Sequence, residues 1–278
     1  MMRAILFIAH GSRVRESQQA VLDFFNHFYD PTLAPIQEVC FLELADPDIT
    51  AGIRRCIEKG ATAITAVPFL LLATGHAKRD IPVQLEQASA AYPDIAITYG
   101  QPLGVTEQMI NVMMASTNHA LHRHRLATVA ATESDPASTV SPSENVILIV
   151  GRGSSDPDIY PYFQALKDSY LHHSPFDHVH TCFLAASQPS FEQTLSQLLA
   201  QHPKQLIILP YLLFRGVLTD HIIRTVQTMQ PCYDAQTTCI IANPLADDPL
   251  LQIALRQRTI EALTTGRNID VSSTNQSS

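Results

Sequence analysis

Three side chains in the first third of the chain are of the types that bind a divalent metal or move a proton. His10 stands in Ala9-His10-Gly11-Ser12-Arg13, and Glu43 in Phe41-Leu42-Glu43-Leu44-Ala45-Asp46-Pro47. His76 stands in Gly75-His76-Ala77-Lys78-Arg79-Asp80. Two imidazoles and a carboxylate suit a first-row divalent ion such as Fe2+, Co2+, Ni2+ or Zn2+. Imidazole also accepts a proton near neutral pH. Taken singly, each has an ordinary reading: His10 as a hydrogen-bonded turn histidine, Glu43 as an exposed strand end, His76 as a solvent-facing helix start. Basic residues flank them: Arg13, Arg15, Lys78 and Arg79, with Arg152 and Arg215 in the other half. Such a set can hold an anionic ligand by charge-assisted hydrogen bonds, or simply face solvent.

Each of the three follows an apolar run, and an open α/β sheet carries its chemistry at the carboxyl ends of its strands. Residues 4–9, 39–44, 63–72 and 95–99 have strand patterns. Residues 16–28, 48–59, 81–91 and 105–123 have helical ones. This alternation predicts a parallel sheet with helices on both faces. The second half restarts at 146–150, with strands at 178–184, 205–210 and 238–242. Its helices are expected at 159–172, 190–200, 218–229 and 249–263.

A constant offset of 142 positions joins the halves. It pairs Gly11-Ser12 with Gly153-Ser154, Cys40-Phe41-Leu42 with Cys182-Phe183-Leu184, and Pro47 with Pro189. It also pairs Pro68 with Pro210 and, after a one-residue shift placed at Gly75/Gly216, Pro102-Leu103 with Pro244-Leu245. The chain therefore reads as a duplicated α/β domain with a cleft between two lobes. The boundaries are a first domain 1–126 carrying the active site, a Ser/Thr/Ala/Pro-rich flexible linker 127–144, a second domain 145–263 and a disordered tail 264–278.

Duplication makes the sequence its own control. At the positions of His10, Glu43 and His76 the second copy has Arg152, Ala185 and Val217. Framework residues persist while the three chemical residues do not, as one active site in the first lobe requires. Arg152, replacing His10, is a candidate for binding substrate carboxylates. His119, His122 and His124 read as an exposed helix end ahead of a metal-delivery site, and His172, His173, His178 and His180 as surface or structural histidines.

Composition narrows the classes. The 278 residues are 46% hydrophobic and 16% charged, ordinary for a soluble globular chain of two modest domains. A net charge of −8 argues against general nucleic-acid binding. Five cysteines at wide spacings without a C-x-x-C give no zinc or iron–sulfur framework. No apolar run is long enough to span a bilayer, and residues 4–9 read as a buried strand with no cleavage site after it, so a cytoplasmic location is expected.

The three motifs AHGSR, FLELADP and PFLLLATGHAKRDIP, together with PYLLFRGVL in the second copy, resemble the sirohydrochlorin chelatases. These class II chelatases insert Fe2+ or Co2+ into sirohydrochlorin, an anionic tetrapyrrole. The resemblance spans both halves. It implies His10 and His76 as metal-binding and catalytic residues, with Glu43 as their acidic partner. Gly11, Ser12, Arg13, Gly75, Lys78 and Arg152 are then expected to hold the substrate. No organic cofactor is implied; the divalent metal is a substrate. A chain holding both copies is expected to be a monomer. The Ser/Thr/Asn-rich end, with no cysteine after Cys239, leans toward iron, a siroheme-forming ferrochelatase; the alternative is a cobaltochelatase of the anaerobic cobalamin pathway. A phosphohistidine-type phosphatase ranks lower, since Ala9 stands where that chemistry wants an Arg. A non-catalytic tetrapyrrole or metal carrier is the other rival.

Overall fold

The computed structural model describes residues 2–72, 75–132, 144–233 and 237–269. The chain forms two compact units, Met1–Gly104 with Gln252–Ser278, and Val105–Leu251. In the first unit the strands are β1 (Arg3–Ala9), β2 (Ile36–Phe41), β3 (Ala63–Phe69) and β4 (Ala96–Tyr99). They lie parallel in the order β2-β1-β3-β4. β1 is central, and Ala4 to Ala9 are all buried, as a strand covered on both faces requires.

Helix α1 (Arg15–Phe28) lays Phe24, Phe25 and Phe28 on one face of the sheet. Phe25 meets Phe7 at 4.7 Å between ring centroids, and Phe24 meets Phe69 at 4.9 Å, distances suited to aromatic packing. Helices α2 (Ile49–Glu58) and α3 (Ile81–Ala91) cover the other face with Ile49, Ile53, Cys56, Ile81 and Leu85. Asp48 starts α2 by accepting from the Ala51 amide at 2.7 Å. Cys40 is buried, as its strand pattern indicates, and burial pushes the Cys56 thiol up to about 12. These thiols pack as small hydrophobes.

The second unit repeats the plan. β5 (Asn145–Gly151), β6 (His178–Phe183), β7 (Gln205–Tyr211) and β8 (Thr238–Ile241) lie parallel in the order β6-β5-β7-β8. Helices α5 (Ile159–His173), α6 (Phe191–Leu199) and α7 (Val217–Met229) correspond to α1, α2 and α3. Strand ends match: Ala9 pairs with Phe41 and Phe69, and Gly151 with Phe183 and Tyr211.

Two boundaries differ from the sequence reading. Helix α4 (Glu107–Thr132) runs through residues 127–132, which were expected as linker, because that stretch is alanine-rich and meets no proline before Pro136. Residues 133–143 of the expected linker lie outside the described residues. The tail expected from residue 264 instead begins with the end of α8 (Leu250–Thr265) and a short strand β9 (Arg267–Asn268). β9 pairs antiparallel with β4 and delivers Ile269 into the core, so β4 is not an edge. Residues 270–278 lie outside the described residues.

The compact units also cut the chain differently from the 1–126 and 145–263 domains. α4 is the last helix of the first repeat in sequence but belongs to the second unit, where the Thr117 hydroxyl meets the Tyr170 hydroxyl at 2.9 Å. α8 is the last helix of the second repeat but packs in the first unit, where Arg258 donates to the Leu103 carbonyl at 3.1 Å. No helix among the described residues is long and apolar enough to cross a membrane.

Candidate functional site

His10 is the first residue after β1, and Glu43 the second after β2. Ladder bonding continues past both strands: the Leu42 amide donates to the Ala9 carbonyl at 2.8 Å and the Glu43 amide to the His10 carbonyl at 3.2 Å. This brings His10 Nδ1 to 3.6 Å from Glu43 Oε1, an ion-pair distance longer than a hydrogen bond. The pair is open to solvent, with side-chain exposures of 27% and 44%.

Gly11 makes the approach possible. Its φ is +93°, and a Cβ there would lie 1.8 Å from the Glu43 carbonyl oxygen. The second copy has the same backbone. Gly153 has φ +88°, and a Cβ there would lie 1.7 Å from the Ala185 carbonyl oxygen. The Leu184 amide donates to Gly151 and the Ala185 amide to Arg152, each at 2.9 Å. Leu44 and Ala186 both have positive φ, and the Asp46–Pro47 and Gln188–Pro189 bonds are both cis. The scaffold is duplicated in detail, while the imidazole and carboxylate it displays are not.

His76 opens a π-helical turn, His76–Asp80, that runs into α3. Its backbone is placed; its side chain lies outside the described ones. The structure therefore brings His10 and Glu43 together and puts His76 on the element that follows the adjacent strand β3. Among the described side chains, which do not include the His76 ring, no group of three His, Cys, Asp or Glu could hold a metal.

The one-residue shift between repeats falls between strand and helix. β3 and β7 end at Phe69 and Tyr211, 142 apart, while the helical elements begin at His76 and Val217, 141 apart. The fully buried Ile81 and Ile222 are likewise 141 apart. His76 thus answers Val217, which carries no group for metal or proton chemistry.

Ser12 and Arg13 follow Gly11. The Ser12 hydroxyl accepts from the Val14 amide at 3.1 Å, and its carbonyl accepts from Gln18 Nε2 at 2.6 Å. Arg13, Lys78 and Arg79 are exposed beyond the strand ends. Arg152 is exposed in the second unit, at the place that His10 takes in the first. Arg215 pairs with Asp247 at 3.0 Å on the exposed surface of the second unit. His119 sits 3.2 Å from the buried Asp248 carboxylate; the His122 and His124 side chains extend from the same helix. A cavity of about 310 Å3 between α1 and β2, lined by Phe7, Phe25, Tyr29 and Val39 among others, shares no residue with the His10–Glu43 pair.

The CbiX family model matches residues 4–120 and again 146–262. A sirohydrochlorin ferrochelatase from Priestia megaterium is 35% identical over 97% of this chain and 94% of that protein. One from Bacillus subtilis is 35% identical over 83% of this chain and 81% of that protein. A sirohydrochlorin cobaltochelatase from Priestia megaterium is 29% identical over 94% of this chain and 80% of that protein. Among solved structures, SirB from Bacillus subtilis with Fe3+ superposes with a TM-score of 0.78 at 31% identity, covering 95% of this chain and 96% of that one.

Proposed function

This chain belongs to the CbiX family, and we propose from that premise that it inserts a divalent metal into sirohydrochlorin with all reacting groups in the first repeat. The observation that carries the reading is the His10–Glu43 pair, displayed on a backbone that the second repeat copies without either side chain.

Two pyrrole N–H protons must leave the macrocycle as the ion enters. An imidazole at the strand end can take such a proton as general base. Glu43, 3.6 Å away, then faces the imidazolium and favours its charge. The same imidazole and carboxylate, with His76 from the next strand's helix, are donors of the kind a borderline first-row ion prefers. We assign metal contact to His10, Glu43 and His76, and proton transfer to His10 and His76. The amides and hydroxyl of Gly11 and Ser12, the cations Arg13, Lys78 and Arg152, and the backbone of Gly75 are assigned to the peripheral carboxylates.

Iron is the proposed physiological metal, because the two ferrochelatase relatives are more similar to this chain than the cobaltochelatase one. We read the protein as a cytoplasmic monomer that needs no organic cofactor, nucleic acid or membrane. The test is the absorbance change of sirohydrochlorin with Fe2+ or Co2+, with and without the protein. Acceleration of metallation over the metal alone is expected, with both ions turned over in vitro. Tight binding of sirohydrochlorin without acceleration would make the protein a carrier instead.

A further inference from the structure

The two repeats treat one backbone amide differently. In the second copy the Ser154 amide donates to Ser187 Oγ at 3.0 Å, and that hydroxyl donates back to the Ser154 carbonyl at 2.8 Å. Ser187 is buried, so the pairing is shielded from water. The equivalent residues in the first copy are Ser12 and Ala45. Ala45 has no hydroxyl. The Ser12 carbonyl is satisfied by another route, from Gln18 Nε2, but the Ser12 amide has no partner among the described residues. Ser12 is partly exposed, two residues from His10.

The difference is not forced by the fold, because the glycine turn, the positive-φ residue and the ladder bonds around it are the same in both copies. A partly buried amide that lacks an internal acceptor takes one from water or from a ligand. In the repeat that lost its histidine and carboxylate, a side chain now supplies that acceptor. In the repeat that kept them, it does not.

We propose that Ala45 is a specificity-determining residue: by lacking a hydroxyl it leaves the Ser12 amide open for a carboxylate of the tetrapyrrole, and Ser187 closes the matching amide in the second repeat. The inference rests on the chelatase reading given above. An amide-to-carboxylate bond is charge-assisted and stronger than a neutral one. A serine at position 45 would occupy the amide with an internal acceptor before substrate arrives.

Ala45→Ser tests this, with Ser187→Ala as its counterpart. Ala45→Ser should raise KM for sirohydrochlorin about tenfold, the scale of one hydrogen bond to a charged group, while kcat stays within about twofold. Hydrogen exchange at the Ser12 amide should slow in the same variant. Ser187→Ala should leave both kinetic constants unchanged and speed exchange at Ser154. An unchanged KM in Ala45→Ser with a protected Ser12 amide would overturn the proposal. So would a Ser12 amide that the new hydroxyl fails to protect. Failure of the parent protein to metallate sirohydrochlorin would instead sink the chelatase reading, and this inference with it.

Discussion

His10 and Glu43 face each other because two backbone bonds extend the β1–β2 pairing beyond the strands and Gly11 lets the Glu43 carbonyl pass where a side chain would stand. The pair is half-open to water, so its electrostatic coupling is modest and its value lies in position. Replacing His10 by Ala should lower kcat by about 10²–10⁴, the usual worth of a positioned base, with little change in thermal midpoint. Glu43→Gln keeps the shape and removes the charge. It should raise KM for the metal several-fold and KM for sirohydrochlorin hardly at all, as measured by titrating each substrate with the other saturating. An equal rise in both would place Glu43 outside the metal's path. At this scale the sequence was legible where the repeat removes a reactive side chain, since the loss of a histidine or a carboxylate is conspicuous. It was not legible at Ala45, because an alanine carries no chemistry of its own. Its meaning comes only from the Ser187 hydroxyl, whose two bonds to Ser154 depend on backbone geometry.

The strands and most helices follow directly from periodicity, since buried parallel strands are continuous apolar runs and the helices between them have apolar faces. What periodicity missed was local. Alanine-rich residues 127–132 lack an apolar face yet continue α4, and the π-helical turn at His76–Asp80 has no compositional mark. A π-turn holds more residues per turn than an α-helix, so it rotates what precedes it relative to the buried anchor, here Ile81. Deleting Ala77 should convert the turn to ordinary α-helix, keep Ile81 in the core, and swing His76 out of register with β1. Misplacement by about an ångström is enough to cost about 10²-fold. The expected result is a variant with near-parental circular dichroism and thermal midpoint and kcat lower by at least that factor. Parental kcat in the deletion variant would mean that the turn does not position His76.

The exchange of last helices between repeats and compact units is invisible in the sequence, because α4 and α8 are equivalent in every property that a pattern records. At the 142 offset Met113 answers Leu255, Thr117 answers Thr259 and Ala120 answers Ala262, and all six are buried. Both threonines donate to the carbonyl four residues back, Thr117 to Met113 at 3.0 Å and Thr259 to Leu255 at 2.8 Å. Each helix therefore carries a face shaped for the same sheet. Residues 1–126 alone would keep the first unit's sheet without α8 and α4 without the second unit. That fragment exposes an apolar sheet surface and a helix face that fits it, the condition under which identical elements are exchanged between copies. It should form a homodimer in which each α4 takes the place of α8 on the other copy, read by light scattering after size-exclusion chromatography. Truncation after residue 104 removes the covering helix as well and should yield aggregate. A stable monomer of 1–126 would show α4 folding back onto its own sheet. The pairing of helix with unit in the full chain would then be set by the second repeat and not by the connection after Gly104.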